Sequence, residues 1–248
     1  MSKVHFDFDG ENFAVTGASS GIGRQIAIDL ADAGANVLAI ARNVERLDEV
    51  RNHNSARIVT ASVDVCDPNA LEEAIKNFVG SHGKLNGGVH AAGITGYTSL
   101  KNFDRDFAHR IMATSFWAAV DFTRLLTKSK YGAGGSSIVL FSSVAADLNP
   151  KAKFAYAASK SAVNNFVKTV AKEICAKRHR INSVMPGWIS TPMTTAVDYL
   201  VDVENETSKF LLGEGTPADV SSTVMFLLSD GARWITGTNI AVDGGRLA

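Results

Sequence analysis

The segment FAVTGASSGIGRQIAIDLADAG (13–34) sets a strand, a turn with three glycines and an amphipathic helix in one unbroken order. That order constrains the fold more than any other feature of the chain. A glycine turn that opens directly into a helix brings free backbone N–H groups and the positive end of the helix dipole to one spot, which is a phosphate-binding arrangement. Gly17 permits the tight turn, Gly21 lets a pyrophosphate approach the backbone, and Gly23 lets the helix pack closely on the strand. Ser19 and Ser20 add hydroxyl donors, so Gly17, Ser19, Ser20, Gly21, Ile22 and Gly23 are the candidate phosphate contacts. Ile22, Ile26, Leu30 and Ala33 form one apolar stripe for packing on a sheet, and Gly34 is a natural stop.

The rest of the chain repeats this alternation of short β-rich runs with longer segments of helical period. Strands are predicted at 12–16, 36–41, 57–63, 85–91, 137–141, 180–185 and 239–242. Such alternation gives an α/β, doubly wound Rossmann-type fold: a parallel sheet of about seven strands with helices on both faces. A length of 248 residues suits a single domain over 1–248, with YGAGGSS (131–137) as a loop. The weakly patterned, acidic stretch 188–214, with Asp198, Asp202, Glu204 and Glu206, is expected to be a substrate lid beside the strand ends.

Charge and composition narrow the function. Lys plus Arg and Asp plus Glu each total 25, leaving no bulk charge to draw the protein to nucleic acid or an anionic membrane. The N-terminus lacks a signal-peptide core and no apolar run is long enough to span a bilayer, so the chain reads as cytoplasmic. Cys66 and Cys175 have no metal-type spacing and are expected to be buried thiols in a reducing compartment. The six histidines form no ligand cluster, and no metal is expected.

The second strand, NVLAIARN (36–43), should end near an adenosine ribose. There an acidic residue would favour NAD(H), but Ala41 occupies the place and Arg42 follows. A planar guanidinium suits a 2′-phosphate, so NADP(H) is favoured over NAD(H); Glu45 remains a possible off-register ribose acceptor. Further along, FAYAASKSA (154–162) places Tyr156 and Lys160 one helical turn apart on one face. The preceding run GSSIVLFSSVAAD ends a buried-type strand in hydroxyls, Ser142 and Ser143, where ligands of a doubly wound sheet sit.

TGASSGIG (16–23), Asp64 of SVDVCD, HAAG (90–93), the Ser143, Tyr156 and Lys160 spacing, NSVMPGWISTPM (182–193) and GTNIAVDGG (237–245) occur in family order. Together they resemble the short-chain dehydrogenase/reductase family in its single-domain form, over nearly the whole chain. The resemblance implies hydride exchange between a nicotinamide cofactor and a carbonyl or alcohol. Tyr156 would be the acid in reduction and the base in oxidation, Lys160 would lower its pKa and bind the nicotinamide ribose, and Ser143 would donate to the substrate oxygen. Asp64 and Val65 match positions that meet the adenine; Ala91, Ala92 and Gly93 match the stretch beside the cofactor; Pro186, Gly187, Ile189 and Thr191 match the turn that holds the carboxamide.

Two departures from the pattern bear on function. HAAG stands where the family usually has NNAG, making His90 a buried structural hydrogen-bonder rather than a catalyst. Ser115, or Thr114 if the register slips by one, stands where the family usually has an asparagine that helps hold a water behind the lysine. A cofactor-binding protein with weak or lost activity and a structural or regulatory role is therefore the alternative reading. A 3-oxoacyl-carrier-protein reductase-like activity is the specific expectation, with Lys151 and Lys153 placed to greet an acidic carrier and small ketones, sugars or polyols as other substrates. Trp188 is expected to form a wall of the pocket. The helices around 103–128 and 154–177 should build a homo-oligomer, a tetramer first, because Ala157, Val163, Phe166 and Val170 give the second more apolar surface than one sheet face requires.

Overall fold

The computed structural model describes residues 4–195 and 203–248, and its centre is one seven-stranded, all-parallel sheet in the order β3-β2-β1-β4-β5-β6-β7. The strands are β1 (Asn12–Thr16), β2 (Asn36–Ala41), β3 (Ile58–Ser62), β4 (Leu85–His90), β5 (Gly132–Phe141), β6 (Arg180–Pro186) and β7 (Asn239–Val242). β1, β2 and β7 occupy the expected residues. The order runs outward in both directions from the β1/β4 pair, and this reversal opens a crevice at the carboxyl ends of the two strands.

Helices cover both faces because strands buried on each side need apolar partners on each side. On one face lie α1 (Gly21–Asp32), α2 (Val44–His53) and α10 (Pro217–Leu228), whose Ile26, Leu30, Leu47, Val50, Val220 and Val224 form one core with β1 and β2. On the other lie α3 (Pro68–His82), α5 (Ala118–Thr127) and α7 (Phe154–Ile174), packed through Leu71, Ile75, Phe122, Leu126, Val163 and Val167. Val163 and Val167 are fully buried one turn apart, each stabilising the α7 contact by about 2 kcal/mol. Shorter elements complete the second face and the strand ends: α4 (Arg105–Met112), α6 (Ala145–Leu148), α8 (Pro192–Thr195) and α9 (Val203–Thr207).

Three expectations are corrected. The 131–137 loop is mostly strand: β5 begins at Gly132, and the register with β4 shifts between Leu85 and Gly87. Ser136 makes this irregular start tolerable, since its buried hydroxyl reaches the carbonyls of Leu85 and Ala133. Cys66 and Cys175 are exposed, not buried. The apolar residues of α7 offered as surplus surface are used within the fold, with Val163 in the core and Phe166 and Val170 packed against it. The exposed large apolar groups nearby are instead Trp117 (58% exposed), Phe103 and Phe154.

Residues 188–214 leave and re-enter the fold at one neck. Ser190 N–H donates to the Gly215 carbonyl and Gly215 N–H to the Trp188 carbonyl, at 2.9 and 3.0 Å. Beyond the neck come α8 and α9; Asp198 and Asp202 lie outside the described residues.

Candidate active site

The glycine turn is shaped by contact as much as by dihedral freedom. Gly17 has φ +68°, and a Cβ on it would lie 2.8 Å from Ala92 N; one on Gly23 would lie 2.4 Å from the Gly17 carbonyl oxygen. Turn, helix and the β4 exit at Ala91 and Ala92 are thus in mutual backbone contact. Ser20 sits at the N-cap of α1 in extended geometry, yet its side chain makes no cap hydrogen bond. Asn43, Asp67 and Asp104, by contrast, accept from the first-turn amides of α2, α3 and α4. The amides at the start of α1 are left for another acceptor, which is what a pyrophosphate needs.

The turn after β6 faces this one. A Cβ on Gly21 would lie 3.2 Å from the Thr191 methyl, so the two turns meet across the crevice mouth. Thr191 is oriented by Thr194, whose hydroxyl accepts from Thr191 N–H at 3.0 Å and donates to the Ile189 carbonyl at 2.8 Å. Pro186 and Ile189 are buried and Gly187 half-buried, with Gly187 N–H donating to the Val242 carbonyl. At the other end, Arg42 is exposed just past β2, Val65 is buried and Asp64 exposed. The Asp64 carboxylate accepts from Cys66 N–H at 3.0 Å, fixing the turn after β3.

Lys160 is the most constrained side chain of the site. It is 4% exposed, and its ammonium donates to the Phe141 carbonyl at 2.8 Å and lies 5.6 Å from the Tyr156 ring centroid. Ser142 ties the same helix to the same strand end, its hydroxyl donating to the Lys160 carbonyl at 3.0 Å. Burial pushes the Lys160 pKa down to about 8. Tyr156 is half-buried against Ile94, Phe107, Ala108, Ile111 and Ala155. Burial raises its phenol above the ordinary value, and a hydrogen bond with Ser143 opposes that rise. In the ligand-free site burial outweighs any lowering of the phenol, because it disfavours charge on Tyr156 and Lys160 alike. Ser143 also accepts from Ala145 N–H at 3.2 Å, which aims its lone pairs and fixes the turn into α6.

Behind the lysine, the helix between α4 and α5 widens into a π turn over Ala113–Trp117. Such turns recur at functional sites. Ser115 lies in it, 1% exposed, with its hydroxyl unpaired. A Cβ on Gly93 would be 3.6 Å from both Ser115 Oγ and Lys160 Nζ, so these groups line one small space. His90 is buried as expected, bonding Thr16 Oγ1 through Nδ1 at 3.0 Å and the Thr114 carbonyl through Nε2 at 3.1 Å. Thr114 itself points elsewhere, its hydroxyl 3.5 Å from Cys66 Sγ.

The substrate end is formed by loops. Thr98 N–H donates to the Ala152 carbonyl and Thr98 Oγ1 accepts from Ala155 N–H, clamping the β4 exit loop to the start of α7. Asn149 and Ala152 there have φ of 49° and 60°, the second a strained value for alanine. Lys151 is exposed, but Lys153 is half-buried with its ammonium 5.2 Å from the Tyr97 ring centroid. Burial lowers the Lys153 pKa, partly countered by Glu206. Sequence pattern alone gave no sign of Tyr97 or of the Lys153–Tyr97 contact, since both depend on two distant loops meeting.

Comparison with known proteins agrees with this geometry. The family model described as enoyl-(acyl carrier protein) reductase matches residues 17–246. A 3-oxoacyl-(acyl-carrier-protein) reductase of Thermotoga maritima is 30% identical over 96% of this chain and 98% of its own. A tropinone reductase homologue of Arabidopsis thaliana is 34% identical over 98% and 92%. The crystal structure of a short-chain dehydrogenase/reductase of the glucose/ribitol dehydrogenase type from Brucella melitensis superposes with a TM-score of 0.92 at 27% identity, covering 98% of this chain and 99% of that one. The chain belongs to the short-chain dehydrogenase/reductase family.

Members of the short-chain dehydrogenase/reductase family are oxidoreductases that bind nicotinamide cofactors, and this crevice fits one. Its glycine turn cannot accept a Cβ, its first helix is uncapped, and a buried cation stands at the far end. Among the described residues no cluster of three or more His, Cys, Asp and Glu side chains can hold a metal, and no helix is long and apolar enough to cross a membrane.

Holding Lys160 charged in this place has a measurable energetic consequence. A shift from 10.5 to about 8 corresponds to about 3 kcal/mol of destabilisation of the native state at neutral pH. Lys160→Met removes it but leaves the Phe141 carbonyl unpaired, a loss of about 1 kcal/mol. The variant should therefore be more stable than the parent by about 2 kcal/mol at pH 7 in urea unfolding. The native lysine pays the penalty only while protonated, so the gain is full below pH 8 and fades as pH rises toward 10.5, where the unfolded lysine also loses its proton. Equal or lower stability at pH 7 would contradict the burial argument.

Proposed function

We propose that the protein is an NADP(H)-dependent ketoreductase, exchanging hydride between the nicotinamide and a carbonyl or alcohol carbon, with Tyr156 as the acid/base. The convergence of the Ser143 hydroxyl, the Tyr156 phenol and the Lys160 ammonium at the end of β5 is the single observation that carries this reading. A bound dihydronicotinamide supplies the hydride. Tyr156 gives its proton to the substrate oxygen, while Ser143 donates a hydrogen bond to the same oxygen and stabilises its developing charge. Lys160 binds the ribose and hands a proton to the phenol, and Ser115 holds a water beside Lys160 that resupplies it.

Cofactor contacts follow from the same crevice. Gly17, Ser19, Ser20, Gly21, Ile22 and Gly23 surround the pyrophosphate; Asp64 and Val65 meet the adenine; Ala91, Ala92 and Gly93 run beside it; Pro186, Gly187, Ile189 and Thr191 hold the carboxamide. Arg42, exposed at the end of β2, binds the 2′-phosphate and sets the preference for NADP(H). Residues 188–214 act as a lid, hinged at the Ile189–Gly215 bridge. For the substrate, similarity to the Thermotoga maritima reductase supports a carrier-linked 3-oxoacyl group, with small ketones as alternatives. Lys151, exposed, is the better candidate for meeting a carrier, because Lys153 is occupied by Tyr97. The two exposed thiols, unpaired in disulfides, fit a reducing, cytoplasmic setting.

Three experiments test this reading. Tyr156→Phe should lower turnover of a ketone panel with NADPH by at least about a hundredfold while NADPH binding, read by fluorescence, is retained. Parental turnover in that variant would end the acid/base assignment. Arg42→Ala should weaken NADPH by about tenfold or more and NADH by far less; equal losses would remove the phosphate role. The exposed Trp117, Phe103 and Phe154 support a homo-oligomer, a tetramer first, and a monomeric mass in solution would defeat that assignment.

A further inference from the structure

We infer that His90 is a positioning residue for the proton path: clamped between Thr16 and the Thr114 carbonyl, it holds open the π turn that sets Ser115 beside Lys160. The inference rests on the ketoreductase reading for its kinetic consequence, though not for its structural one.

The direction of each hydrogen bond is forced. The Thr114 carbonyl can only accept, so His90 Nε2 carries the proton and Nδ1 is bare. Thr16 Oγ1 must then donate to Nδ1, and one of its lone pairs accepts from Ala92 N–H at 3.3 Å. One continuous chain therefore runs from the backbone beside the cofactor turn, through β1 and the imidazole, to the π turn. Burial, with the charge of Lys160 adding to it and the Thr114 bond opposing it, pushes His90 down to about 4. The imidazole stays neutral, and its tautomer fixed, over the working pH range. Lys160 is the one charged group found to act on it.

The π turn needs such a tie. Widening a helix breaks its regular ladder and releases backbone groups that must bond elsewhere. His90 supplies a donor to the carbonyl of Thr114, immediately before Ser115. If the turn closed to an α-helix, one residue fewer in the turn would swing the following side chains by about 100° about the axis. Ser115 Oγ, buried, unpaired and facing the space shared with Gly93 and Lys160 Nζ, would leave that space. The serine alone does not make the position useful. Its placement does, and the histidine determines that.

His90→Phe keeps a ring of similar size and removes both nitrogens, whereas His90→Gln retains a donor that reaches the Thr114 carbonyl. The Phe variant should lose about tenfold or more in kcat with NADPH affinity within about twofold, and the Gln variant should recover most of the loss. Joined to Ser115→Ala, His90→Phe should add nothing, because both act on one path; additive losses or a parental kcat in the Phe variant would overturn the proposal. Two readouts need no activity. In ¹⁵N NMR of the parent, His90 should show a protonated Nε2 and a bare Nδ1 without titrating between about pH 5 and 8. Amide exchange over 113–117 should accelerate about tenfold or more in the Phe variant with the sheet amides unchanged. A protonated Nδ1, a midpoint near the ordinary histidine value, or unchanged exchange overturns the inference even if no substrate is ever turned over. Should the Phe variant not fold, the parental spectrum and the Gln variant decide it.

Discussion

An ammonium group held against the end of a strand, with almost no water around it, is the constraint on which the site depends. Lys160 Nζ bonds the Phe141 carbonyl, and the Lys160 carbonyl receives the Ser142 hydroxyl, so a two-point clasp joins α7 to β5. Apolar packing through Val163 and Val167 holds the helix on the sheet but is non-directional. The clasp adds directional bonds. It fixes the axial position of α7 against β5, hence the placement of Tyr156 one turn earlier and of Ser143 just beyond the strand. An interaction that destabilises the isolated fold thereby orders the chemistry.

The crevice itself is a consequence of topology. Outward winding from β1 and β4 leaves their carboxyl ends uncovered, and the glycine turn and Ala91–Gly93 follow those ends, while the other groups proposed for the cofactor stand near the carboxyl ends of β2, β3 and β6 and on α7. What turns an open crevice into a shaped one is close backbone contact: Gly17 on Ala91 and Ala92, Gly23 on Gly17, and Gly21 on Thr191. In the last pair, residues far apart in sequence form the two sides of a single mouth. The same principle governs the loop holding Tyr97, clamped through Thr98 to the start of α7.

Legibility in the sequence divides along the range of the forces involved. Local period and turn chemistry placed all seven strands and located α1 within a residue at each end, because buried parallel strands and a glycine turn write themselves into contiguous residues. The Tyr156 and Lys160 pairing was readable for the same reason: one helical turn is local. What failed depended on tertiary partners. The start of β5 looks like a loop because Gly132 to Gly135 has poor strand propensity, and only Ser136 and the neighbouring β4 make it a strand. Cys66 and Cys175 look like core residues by type, yet they fall at a turn after β3 and at the end of α7. Of the apolar residues of α7 counted as surface, Val163 lies in the core with Phe166 and Val170 half-buried against it, and the π turn around Ser115 has no sequence signal, its proposed tie, His90, lying on the distant β4.

Buried Lys160 and half-buried Tyr156 also set the direction in which the ligand-free site is poised. In water a lysine, at 10.5, holds its proton slightly more tightly than a tyrosine at 10.0. Burial reverses the order, since it lowers Lys160 to about 8 and raises Tyr156. The phenol is then the tighter holder of its proton, and an ammonium–phenolate pair is disfavoured until something else in the site carries compensating charge. In the proposed reduction a substrate carbonyl receiving hydride would supply the complement: its oxygen would become strongly basic and take the proton from a phenol that stays neutral until that moment. In the proposed oxidation the phenolate would be needed first, and an oxidised nicotinamide held in the crevice would supply positive charge that favours it. In the proposed reduction, the walls that weaken the phenol as an acid still serve the proton transfer. They hold its proton in reserve for the one acceptor whose charge develops within hydrogen-bond reach, and the lysine, already close to losing its own proton, is placed to replace it.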